Sequence, residues 1–168
     1  MSGRDCMQSR FRRIRHTVHP LRLAALIAWI TPLGSALAST IEVPGDQPTI
    51  QGAINTAVGG DTVLVSPGTY VENIDFLGKA IRLIGRGGPD STILQPAFAS
   101  VNNVRMINGE GIGTELTGFT LRGGSAKHVL EIAGGAMPRV YHNVFRDNLL
   151  LVYNATEIGS FGSDPVIE

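Results

Sequence analysis

His142, Asn143, Arg146 and Asp147 fall within one short stretch of the chain, and Tyr141 precedes them. A histidine, a carboxylate and a guanidinium on one surface could bind an acidic sugar or withdraw a proton from it, so His142, Arg146 and Asp147 are the candidate catalytic groups. Arg122 lies 24 residues before Arg146, and Arg122, Asn143 and Tyr141 are the candidate ligand-binding residues. Tyr141 and Tyr153 offer rings on which a sugar could stack, or pad an outer wall. Arg82, Arg122 and Arg146 would make an outward basic stripe suited to uronic acids, or ordinary solubilising surface. The plainer reading of the whole stretch is a solvated face in which Asn143 or Asn148 fills a backbone corner. The acids Asp61, Glu72, Asp75, Asp90, Glu115, Glu131 and Asp147 are spread singly, which does not suit the clustered oxygen ligands of a calcium site. Cys6 is the single cysteine, so a body beginning after it holds no thiol nucleophile and no cysteine metal site. No cofactor and no metal are expected.

The elements that must position these residues are short. Thr40–Val43, 61–65, 70–74, 80–84 and 92–94 are strand-sized apolar runs closed by Gly, Pro, Asn or Asp. One helix is expected over Ile50–Val58, where Ile50, Ala53, Ile54 and Ala57 make a single apolar stripe. Thr49 is its N-cap and Gly59-Gly60 its stop. Gly52 within it costs about 1 kcal/mol relative to alanine, so the helix must lean on packing. Ser66-Pro67-Gly68-Thr69 fits a type II turn.

The runs also repeat. Leu116–Gly124 aligns without gaps over Val140–Asn148, an offset of 24, matching Leu116 with Val140, Leu121 with Phe145, Arg122 with Arg146 and Gly124 with Asn148. Val63/Val65 to Ile81/Leu83 gives an offset of 18. Leu83 to Leu121 gives 38, one coil plus an excursion over 96–113, and Asp164–Glu168 begins a further coil about 26 residues on. Strand-sized apolar pairs at such a period, with Gly and Asn corners, predict a β-solenoid of about five coils. Stacking coils at roughly 4.8 Å lets each strand hydrogen-bond above and below and merges the inward side chains into one core. A leucine-rich repeat would need a dense Leu/Asn consensus that is missing.

The head of the chain differs in charge from the rest. Residues 1–38 hold six arginines against Asp5, while the remainder holds eight basic and thirteen acidic side chains. Arg10–Arg15, an apolar run from Leu23 to Leu37 and the small-x-small Ala36-Leu37-Ala38 predict a signal peptide over 1–38, cleaved after Ala38. The interrupted apolar run is shorter than the roughly 20 residues a membrane span takes, so no stable anchor is expected after cleavage. Export to the periplasm or the extracellular space follows. A basic leader before an acidic body is a sorting pattern rather than a nucleic-acid footprint.

Thr49–Ile54 (Thr-Ile-Gln-Gly-Ala-Ile), Gly60–Tyr70 (Gly-Asp-Thr-Val-Leu-Val-Ser-Pro-Gly-Thr-Tyr), Glu72 and Ile81–Gly85 closely resemble the opening of pectin-lyase-like right-handed parallel β-helix proteins, as in pectinesterases and bacterial periplasmic β-helix proteins. Gly118-Phe119 and Asn143–Asn148 resemble their later coils, and the likeness spans most of 41–168. It implies an all-β fold, a right-handed parallel β-helix (solenoid) over 39–168 with a short N-terminal capping α-helix. It implies little about activity, because that scaffold carries esterases, lyases, hydrolases, epimerases and adhesins. The Asp-Phe-Ile-Phe-Gly type segment of a pectinesterase is missing, and Asp75-Phe76 stands too early. The paired acids, Gly-His-Gly and Arg-Ile-Lys of a polygalacturonase are also missing, as is the calcium cluster of a pectate lyase. No family catalytic residue carries over.

The expected function is therefore an exported β-helix module that binds, or is presented on, polysaccharide or cell envelope. The alternative is the N-terminal fragment of a carbohydrate-active enzyme whose catalytic coils lie beyond residue 168. The sequence stops at Val166-Ile167-Glu168 without a capping element, which predicts truncation, a covering partner or self-association through the open end. A surface adhesin is the third reading.

Overall fold

The computed structural model describes residues 37–98, 100–123, 128–148, 150–154 and 166–167. The predicted signal peptide lies almost wholly outside them. After β1 (Thr40–Val43) and α1 (Ile50–Thr56) the chain runs through four turns of three strands each. They are β2 (Thr62–Val65), β3 (Gly68–Val71) and β4 (Ile74–Asp75); β5 (Arg82–Gly85), β6 (Thr92–Gln95) and β7 (Val104–Met106); β8 (Glu115–Thr117), β9 (Thr120–Arg122) and β10 (His128–Ile132); and β11 (Arg139–Tyr141), β12 (Val144–Arg146) and β13 (Leu150–Asn154). A last strand, β14 (Val166–Ile167), follows. The strands stack into three parallel sheets, ordered β1-β2-β5-β8-β11, β3-β6-β9-β12-β14 and β4-β7-β10-β13. This is a parallel β-helix with one short α-helix at its start.

The core is built from side chains in register. Val63, Leu83, Leu116 and Val140 form one inward stack, Leu94, Leu121 and Phe145 a second, and Ile74, Val104 and Leu130 a third. All are buried. Each full burial removes apolar area worth about 1.5–3 kcal/mol, and no coil could achieve it alone. Where the backbone turns between the first two sheets, Gly85 and Gly118 touch. A Cβ on Gly85 would lie 2.2 Å from the Gly118 carbonyl oxygen, and Gly118 itself has a φ of 81°. Only glycine serves at such a crossing.

α1 packs against β1, β2 and β4 through Ile50, Ala53 and Ile54. Thr49 caps it as expected, its hydroxyl accepting from Gly52 N at 3.0 Å. The Glu72 carboxylate accepts from the amides of Ile50 (3.0 Å) and Gln51 (2.9 Å), so the first free N–H groups of the helix are satisfied. At the other end Lys79 Nζ donates to the carbonyls of Ile54 (2.7 Å) and Asn55 (2.9 Å). Gln51 accepts from Asp75 N at 2.8 Å and donates to Asp75 O at 3.2 Å. Its amide thus stands in for a missing strand above β4, the edge of its sheet, and blunts that edge.

Several expectations are corrected. Gly68 opens β3 opposite Thr92 and has no positive φ, so 66–69 is not a type II turn. Val63 lies against Leu83 rather than Ile81, and Leu83 lies against Leu116 rather than Leu121, which stacks on Leu94. The stretch 96–113 is no mere excursion, since it supplies β7 to the third sheet. Val166 pairs with Val144 in the second sheet, an offset of 22 rather than about 26. The helix ends at Thr56, with Ala57 as its C-cap. The physical reason is common to the register errors: corner lengths vary, so a constant offset misplaces the rung.

Candidate functional site

Outward side chains form in-register rows, because each strand repeats the same face about 4.8 Å above the last. On the β2-β5-β8-β11 sheet, Arg82, Glu115 and Arg139 face one another across successive strands. Arg139 Nη1 donates to Glu115 Oε1 at 2.8 Å, and the Tyr141 hydroxyl reaches Glu115 Oε2 at 3.4 Å. The Arg139 guanidinium also lies 5.1 Å from the centre of the Tyr141 ring, within cation–π range. On the β4-β7-β10-β13 sheet, Arg105 bridges two acids, Asp75 at 3.2 Å and Glu131 at 3.3 Å. Asn102 Nδ2 adds a further bond to Glu131. On the β3-β6-β9-β12-β14 sheet, Arg122 and Arg146 are in register. With its amide turned to face the guanidinium, Gln95 accepts from Arg122 Nε and Nη2 at 2.6 and 2.8 Å.

The six residues singled out in the sequence are distributed over this frame. Tyr141 sits on the first sheet. His142 follows it at the corner leading to β12, with a φ of 51°, and its ring meets the Tyr141 ring edge-on at 5.2 Å. Asn143 is buried and faces inward. Its Oδ1 accepts from Phe119 N at 3.0 Å, and its Nδ2 donates to the carbonyls of Leu116 (2.8 Å) and Tyr141 (3.0 Å). Arg122 and Arg146 come together on the outer face of the second sheet. Asp147 lies at the far corner of β12, also at positive φ (55°), where its carbonyl accepts from Gly123 N. Asn143 and the three residues of β12 therefore separate His142 from Asp147, by on the order of 10 Å. Arg82 stands on a different sheet from Arg122 and Arg146, so the three do not form one stripe.

Sequence reasoning missed two rows. Glu115 over Arg139 was available from the same 24-residue alignment that pairs Leu116 with Val140. Asp75, Arg105 and Glu131 were not available, because the coils between them differ in length. Other polar groups are occupied with the scaffold. Asn73 accepts from Phe98 N at 2.8 Å and donates to three carbonyls of the loop before β7. Glu110 accepts from the amides of Gly78 and Asn108. Buried Asp61 accepts from Val58 N through Oδ2 and from Ser39 N through Oδ1, both at 2.8 Å. These backbone N–H groups, Val58's first, hold its carboxyl below the ordinary value, against the opposing effect of burial. Burial, then the Glu72 charge, push the Tyr70 phenol up, and its hydroxyl donates to Ser66 O at 2.9 Å.

Among the described residues no group of three or more His, Cys, Asp or Glu is arranged to hold a metal ion. Comparison with protein-family models, curated proteins and solved structures returned no match.

Proposed function

We propose that the chain is an exported right-handed β-helix module of the pectin-lyase-like kind that binds acidic polysaccharide, without turning it over, on the outer face of the sheet holding Arg122 and Arg146. The observation that supports this reading is the in-register placement of two guanidiniums on adjacent strands. Arginine presents a planar fork that takes a carboxylate in two parallel hydrogen bonds, which suits uronic acid units along an extended chain. The parallel rungs repeat the fork in one direction, as a polymer repeats its carboxylates. The stripe is shorter than the sequence suggests, since Arg82 belongs to another face.

The test is calorimetric titration of the full chain, purified from an exporting host, with polygalacturonate and with uncharged dextran. Micromolar binding to the acidic polymer alone is expected, weakened by added salt. Arg122→Glu with Arg146→Glu should weaken it at least tenfold, about 1.4 kcal/mol, with the melting curve retained. Equal binding of dextran, or affinity unchanged by the double substitution, would sink the proposal.

A further inference from the structure

We infer that the Asp61 carboxylate is the receptor for the α-ammonium of a chain processed between Ala38 and Ser39, so that removal of the leader fastens the first strand to the solenoid. The inference rests on the exported reading and adds to it a processing site and a reason for its position. Three observations converge on Ser39. Its nitrogen is the donor to Asp61 Oδ1 at 2.8 Å. Its carbonyl accepts from Thr62 N at 2.8 Å, which makes it the last residue before β1 that the β2 ladder holds. Leu37 (90%), Ala38, Ser39 and Thr40 are all exposed, so the Ala38–Ser39 bond lies open to solvent beside the first described residue bonded to the β2 strand. The first described hydrogen bonds to β2 and the small-x-small cleavage pattern therefore meet at one peptide bond.

Hydrolysis of that bond adds hydroxyl to the Ala38 carbonyl carbon and hydrogen to the Ser39 nitrogen. The new Ala38 carboxyl releases its proton and the amine takes one up, leaving a carboxylate on the departing leader and an ammonium on Ser39. The nitrogen need not move. A neutral amide donor to Asp61 becomes a charged one, and a hydrogen bond becomes a charge-assisted ion pair. Asp61 is buried and its second oxygen is already fixed by Val58 N, so the carboxylate is held in place for the incoming charge. Among the elements around this corner, Lys79 is engaged by the last carbonyls of α1, and Arg82 lies opposite Thr62 in β5.

The experiment is expression of the full chain in an exporting host, followed by mass measurement of the exported protein and amine labelling across pH. The expected result is an N-terminus at Ser39 whose amine labels as a group titrating above about 8, the upper end of its ordinary range. At neutral pH that appears as labelling several-fold slower than for an unfolded control, and Asp61→Asn should restore the control rate. A Ser39 terminus that labels at the control rate overturns the inference while the exported reading stands. A terminus at another residue does the same. Retention of residues 1–38 in all cell fractions overturns both. If Asp61→Asn does not fold, the labelling curve of the unsubstituted protein decides alone.

Discussion

Replacing Asn143 by alanine separates a ligand-binding residue from a structural one. The side chain is 2% exposed and closes a corner between two coils. Alanine there removes one acceptor for Phe119 N and one donor each for Leu116 O and Tyr141 O. Each buried hydrogen bond contributes roughly 1 kcal/mol net, and a buried backbone group stripped of its partner costs about 1–3 kcal/mol. Water entering the corner would satisfy part of the loss, so the expected destabilisation is about 3 kcal/mol. For a chain of this size that lowers Tm by about 6–12 °C. Thermal unfolding of Asn143→Ala followed by far-UV circular dichroism measures it, with polygalacturonate titrated into the folded variant at low temperature. A fall in Tm below about 3 °C with binding abolished would refute the structural assignment and return Asn143 to the ligand-binding set.

Gly52→Ala reverses a propensity argument: alanine favours the helix by about 1 kcal/mol, yet its Cβ would stand 2.8 Å from the Thr49 hydroxyl and displace a cap worth about 1 kcal/mol. Stability should stay nearly level, and a gain of the full 1 kcal/mol in urea unfolding would show that the cap is not used. Asp61 has a depressed folded pKa, so its contribution is present above about 3.9, the ordinary aspartate value, and is lost as pH falls through the lower folded value. Melting temperature should therefore drop between about pH 5 and about pH 2, and Asp61→Asn should flatten that drop; parallel curves for the two proteins would contradict the linkage.

The rungs legible in the sequence were those with equal corners. Leu116 over Val140, Leu121 over Phe145 and Arg122 over Arg146 lie in register because two successive coils have the same length there. The third sheet was hidden for the opposite reason. β4 has only two residues, and β7 sits inside a stretch rich in Asn and Gly that reads as loop. The candidate cluster failed to assemble for a related cause: Tyr141, His142, Asn143, Arg146 and Asp147 span two corners, and a corner sends neighbours in sequence to different faces.

The amino-acid sequence by itself determined the helix and its Thr49 cap, which depend on residues a few positions apart, and the solenoid class, which shows in the repeat of strand-sized apolar runs. Only the tertiary structure decided how coils of unequal length stack, and with it the row Asp75–Arg105–Glu131 and the place of Arg82 beside Glu115. Corner length has no period in the sequence. Register is set where an inward side chain finds the one above it, and the outward chemistry follows from that choice.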